Sequence, residues 1–165
     1  MGPLLEPSAM PLLADLSLDR FWWVLDEPAP LAGMRLPDPH TDFDAVAKAG
    51  FKWVVALEGR GRHDCLPLTR EAFYLENLAG GRMPTDPLAE QKLVDAAAGL
   101  VVDKLKAGQG VVVHCWGGTG RTGTVIGRSL VYWSTLRRKW SVGSTLSTGH
   151  GVEADGQRAP GKRRH

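Results

Sequence analysis

In His114-Cys115-Trp116-Gly117-Gly118-Thr119-Gly120-Arg121-Thr122-Gly123, a thiol and a guanidinium enclose five residues, three of them glycine. A thiolate is a strong nucleophile, and a guanidinium fork binds two oxygens of a phosphate at once. Lysine, a point charge, cannot supply that geometry. Gly117, Gly118 and Gly120 accept backbone angles that other residues resist, so the loop can turn its N–H groups inward as an anion nest. A helix starting near Arg121 or Thr122 would add the positive end of its dipole. Cysteines at helix N-termini beside cations ionise more readily than free thiols.

The chemistry these residues suit is capture of a phosphoryl group and in-line attack on it by Cys115. Arg121 and the backbone of Trp116, Gly117, Gly118, Thr119 and Gly120 would hold the oxygens. Thr122 can donate its hydroxyl to the departing sulfur. His114 is either a buried structural residue or one that tunes the thiol. His, Cys and Arg at fixed spacing coincide by chance on the order of once per 10⁴–10⁵ positions. A buried cysteine in a glycine-rich turn is therefore the weaker reading.

Such a loop needs a strand that ends at the cysteine and a helix that leaves at the arginine. Val111-Val112-Val113 supplies the strand. Before it, Pro87 opens a stretch in which Leu93, Ala97, Leu100, Val101 and Leu105 share a helical face and Glu90, Lys92, Asp95 and Asp103 fall largely elsewhere, up to Ala107-Gly108. Lys52 to Leu57 is a short apolar run, read as a buried strand. His40 to Ala49 suits a short helix capped by Thr41 or Asp42 and stopped by Gly50. Phe21 to Leu25 reads as a strand, and Leu31 to Met34 as a second. Glu58 to Leu68 reads as a loop. Alternating strands and helices predict an α/β fold, a central and mostly parallel sheet flanked by helices.

The chain's 165 residues suggest one domain at 21–140, after an irregular, proline-broken lead at 1–20. Residues 141–165 have few apolar anchors and no period, which predicts a disordered tail. A formal charge of +2 and no basic stripe interleaved with aromatics argue against nucleic acid as partner. No apolar run approaches the roughly 20 residues of a membrane span. The start lacks the basic flank of a signal peptide, and Glu6 breaks a myristoylation pattern. Cys65 and Cys115 make no disulfide framework. A cytoplasmic protein is expected, with Arg137-Arg138-Lys139 and Lys162-Arg163-Arg164 as candidate nuclear-import signals or plain solvated charge.

His-Cys-x5-Arg-Thr-Gly at 114–123 resembles the signature of the cysteine-based protein tyrosine phosphatase superfamily. The short domain looks like the small atypical dual-specificity phosphatases. Phe21-Trp22-Trp23-Val24-Leu25 with Leu31-Ala32-Gly33-Met34 is similar to that group's opening "F-x-W-V … L-A-G" segment, and Val54-Val55-Ala56-Leu57 to its next strand. The resemblance implies hydrolysis of phosphotyrosine, and of phosphoserine or phosphothreonine, in phosphorylated protein substrates. The route would be a phosphocysteine on Cys115, with no metal or organic cofactor.

The resemblance also implies an aspartate acid on an upstream loop. Asp86, in Met83-Pro84-Thr85-Asp86-Pro87, is the candidate. An Asp before Pro is equally a helix N-cap, and Asp64 is a further alternative. Thr85 intervenes where the family places its aspartate directly after Ile-Pro. After Tyr132 the family's further helices, with their Arg-Pro-Gly segment, are missing or replaced, which implies exposed apolar surface that Trp133, Leu136 and Trp140 could partly cover. A lysine-free loop weakens the case for phosphoinositides. The alternative function is a variant with impaired folding or activity that binds phosphorylated partners without turnover.

Overall fold

The computed structural model describes residues 21–59 and 64–146, with side chains to 139. The lead at 1–20, the loop segment 60–63, the tail at 147–165 with its basic cluster, and the Trp140 side chain lie outside the described residues. By backbone proximity the chain divides into two units, 1–134 and 135–165. All packing below concerns the first.

Among the described residues, five strands form one sheet in the order β1-β2-β5-β3-β4. They are β1 (Phe21–Leu25), β2 (Leu31–Met34), β3 (Phe51–Ala56), β4 (Thr69–Ala72) and β5 (Gly110–His114). Only the β1–β2 hairpin is antiparallel; β2–β5, β5–β3 and β3–β4 run parallel. The expected mostly parallel α/β sheet is the one observed. β5 sits in the middle, and all five of its residues are buried. Its β-branched run suits a strand covered on both faces.

Side chains alternate across the sheet with the strand period of two. Val111 and Val113 join Leu31, Val55 and Leu57 on one face, where α2 (Pro87–Lys106) contributes Ala97, Val101 and Leu105 and α3 (Gly120–Leu146) contributes Val125 and Ile126. Val112 joins Phe21, Ala32, Phe51 and Val54 on the other, under Phe43 and Val46 of α1 (Phe43–Lys48). Phe21, Trp23 and Phe51 meet there edge-on or tilted, with centroids 5.0–6.4 Å apart.

Local chemistry sets the helix ends. Asp42, one of the two cap candidates, accepts the Ala45 N–H at 2.9 Å and starts α1. Pro87 occupies the first turn of α2, where its missing N–H costs nothing. Leu93, expected on the buried face of α2, is 36% exposed. β4 was not foreseen. Thr69-Arg70-Glu71-Ala72 carries no apolar run and is held as an edge strand by pairing with β3, half of it exposed. Residues 141–146, expected to belong to a disordered tail, are the last turns of α3. That helix is the last element among the described residues. Its Val131 is 53% exposed. No described helix is long and apolar enough to cross a membrane.

Candidate active site

β5 ends at His114, and the chain turns through Cys115 into α3, which begins at Gly120. The nucleophile candidate thus stands at the carboxyl edge of the central strand, facing a helix N-terminus. Cys115 is 3% exposed, and its Sγ accepts the Gly118 N–H at 3.2 Å. That bond aims one loop N–H at the sulfur.

Gly118 makes the turn possible, with φ at +78°. A Cβ there would stand 2.7 Å from the Met34 carbonyl oxygen, 2.7 Å from the Trp22 ring and 2.9 Å from the Arg35 nitrogen. The loop is therefore pressed against the end of β2. Leu36 N–H donates to the Trp116 carbonyl at 3.1 Å and adds a second tie. Trp22 reaches this point only because its cross-strand partner is Gly33. A Cβ on Gly33 would lie 2.5 Å from Cε2 of the indole. The aromatic and glycine residues of the opening segment thus have a mechanical role: one ring bridges the edge hairpin and the Cys115 loop.

On the other side, Leu57 N–H donates to the His114 carbonyl at 2.8 Å. Arg121 Nη1 donates to the carbonyls of Leu75 at 3.3 Å and Leu57 at 3.5 Å. One nitrogen of the fork is anchored to the scaffold, and its others are left to meet oxygens. His114 is fully buried at the end of β5. Thr122 is also fully buried, and its hydroxyl makes no hydrogen bond, so the bond expected from it to Cys115 Sγ is not formed here.

A cleft of about 540 Å³ opens over the loop, lined by Cys115, Trp116, Gly117, Thr119, Gly120 and Arg121. Its far wall brings in Leu75, Leu78, Val94, Glu76 and Glu90. Asp86 is not in this lining. Its Oδ1 accepts the Leu88 and Ala89 N–H groups, both at 3.1 Å, as the α2 N-cap. The helix-cap alternative is the arrangement present, since an N-terminal turn has orphan donors and Asp86 supplies the acceptor. Asp64 is likewise engaged in its own turn, accepting the Leu66 N–H at 3.1 Å.

Glu76 and Glu90 were missed by sequence reasoning. Glu90 Oε1 accepts the Glu76 N–H at 2.9 Å. Glu76 Oε1 and Oε2 accept the Thr85 N–H at 2.9 Å and the Thr85 hydroxyl at 3.0 Å. For Glu90 a signal existed. It heads the stripe Glu90, Val94, Ala97, Val101 and Leu105, whose spacing puts all five on one helix face. A carboxylate on a buried stripe needs a reason.

Cys65, the second thiol, lies in the core on the α1 side of the sheet. Burial pushes its pKa up, with Asp64 adding to that and Arg70 opposing.

Residues 19–158 match the family model described as Swiss Army Knife protein, DSP-PTPase phosphatase domain. Comparison with curated proteins gave no match.

Proposed function

Because the chain belongs to the DSP-PTPase phosphatase family, we propose that it hydrolyses phosphotyrosine, and phosphoserine or phosphothreonine, in phosphorylated proteins through a phosphocysteine on Cys115. The observation that carries this reading is Cys115 Sγ, hydrogen-bonded by the Gly118 N–H and sharing one cleft with Arg121. Phosphate oxygens would be held by the backbone from Trp116 to Gly120 and by the unanchored nitrogens of Arg121. These donors act mainly on the transition state, where charge builds on the equatorial oxygens. Cys115 attacks phosphorus in line, the ester oxygen leaves, and water then cleaves the thiophosphate. Thr122 is proposed to turn its unbonded hydroxyl toward the sulfur as that bond breaks, and His114 to fix the start of the loop.

The cleft also bears on substrate. No lysine or arginine lies between Trp116 and Gly120, and two carboxylates line the opposite wall. Polyanionic lipids and inositol phosphates would find no lysine or arginine in that stretch to neutralise their additional charge. A phosphotyrosine side chain would meet Leu75, Leu78, Val94 and the exposed Trp116. The proposed setting is the cytoplasm, with Arg137-Arg138-Lys139 as a candidate nuclear address.

Turnover of p-nitrophenyl phosphate and of a phosphotyrosine peptide by the purified chain tests the reading. Wild-type protein should turn over both, and Cys115→Ser neither. Folded wild type no faster than the serine variant would defeat the catalytic reading and leave a phosphate-binding protein.

A further inference from the structure

We propose that Glu90 is the proton donor to the leaving group. The inference rests on the phosphocysteine reading above and adds to it the acid that the reading lacks. Expulsion of an alkoxide or phenoxide from phosphorus needs a proton delivered from the side of the cleft away from the thiolate.

Among the described residues, the carboxylates that line the cleft with Cys115 and Arg121 are Glu76 and Glu90. They differ in what their oxygens already do. Both oxygens of Glu76 accept hydrogen bonds from Thr85, which closes the loop between residues 76 and 85. Glu90 gives Oε1 to the Glu76 N–H and has no hydrogen bond on Oε2 among the described residues. One oxygen fixes the side chain, and the other is left for proton transfer. The half-buried position on α2 adds rigidity, since a helix holds a catalytic group more precisely than a loop does. Three of the four carboxylates from which an acid could come thereby have other roles: Asp86 caps α2, Asp64 accepts a hydrogen bond in its own turn, and Glu76 clamps a loop.

Cys115 thiolate forms the S–P bond as the P–O ester bond breaks. The electron pair goes to the leaving oxygen, which takes the proton from Glu90 Oε2. Glu90 carboxylate then removes a proton from water as that water attacks phosphorus. The P–S bond breaks, its pair returns to sulfur, and inorganic phosphate departs with Glu90 again protonated.

The test compares p-nitrophenyl phosphate, whose leaving group needs little help, with phenyl phosphate, whose leaving group needs a proton. Wild type and Cys115→Ser are run first. A folded wild type without Cys115-dependent turnover defeats the underlying reading and this proposal together. Given turnover, Glu90→Gln should lose about 10²–10⁴-fold in kcat on phenyl phosphate, the usual contribution of a general acid. It should lose far less on p-nitrophenyl phosphate, and the alkaline limb of its kcat profile should flatten. The amide oxygen still accepts from Glu76 N–H, so the local fold is kept. Glu90→Asp, which retains an ionisable group, should keep the alkaline limb and guards against a glutamine variant that fails to fold. The proposal is overturned if Glu90→Gln keeps the wild-type ratio between the two substrates. It is equally overturned if Asp86→Asn, which preserves the helix cap, or Glu76→Gln shows the selective loss instead.

Discussion

At the level of single residues, the loop depends on atoms that are absent as much as on those present. Gly118 combines a positive φ with a backbone packed against Met34 and Arg35. Gly118→Ala should cost about 1–3 kcal/mol in strain, since alanine resists that backbone region. The methyl would also push the loop off the end of β2. A displacement near 1 Å in a catalytic constellation lowers rates by about 10²-fold. Denaturant unfolding and steady-state kinetics on one preparation would measure both losses. Gly123→Ala is the matched control. A Cβ at Gly123 meets nothing within 4 Å, and alanine in this first turn of α3 should stabilise the helix by less than the roughly 1 kcal/mol of an interior position. If Gly118→Ala proved as harmless as Gly123→Ala, the close approach of loop and strand would not matter to function.

At the level of elements, α2 and α3 are the two helices that carry cleft residues, and a polar staple joins them. Asp95 Oδ1 accepts from Arg128 Nε and from the Tyr132 hydroxyl, each at 2.9 Å. The Arg128 guanidinium also lies 4.6 Å from the centre of the Tyr132 ring. The Tyr132 hydroxyl, then Arg128, hold the Asp95 carboxyl below the ordinary carboxylate range. A carboxyl whose folded pKa is depressed stabilises the fold above its unfolded value and loses that contribution as pH falls through the folded one. Thermal melts should therefore show wild type losing more of its melting temperature than Asp95→Asn between pH 5 and strongly acidic conditions, roughly the range over which such carboxylates titrate. Identical pH dependence for the two proteins would mean that the staple adds nothing in solution. The staple is half-exposed, so its effect at neutral pH should be small.

At the level of the whole molecule, the parts readable from sequence were those specified by neighbouring residues. Val111-Val112-Val113, the Cys115 loop and the period of α2 each carry their signal within one segment, and each stands where the pattern put it. What the sequence hid depends on segments far apart in the chain. β4 exists through pairing with β3, and its own residues favour no strand. Asp86 satisfied two local patterns at once, and the structure shows it as the α2 cap, outside the cleft lining. Glu76 and Glu90 meet Cys115 through the tertiary fold, which no local spacing encodes.

The same long-range dependence has a thermodynamic side in the Trp22 ring, seated over Gly33 and against Gly118. If that ring links the edge hairpin to the anion loop, the link must run both ways. An oxyanion that prefers the ordered loop must then stabilise the hairpin by the free energy with which the hairpin strengthens its binding. Hydrogen exchange with and without vanadate would measure it. Amide protection should rise across Phe21–Leu25 as well as at the loop, and Trp22→Ala should weaken vanadate binding although the ring is not part of the cleft wall. Protection confined to the loop would mean that the two move independently. Otherwise the first strand of the fold is, in energetic terms, a component of a site more than eighty residues away in sequence.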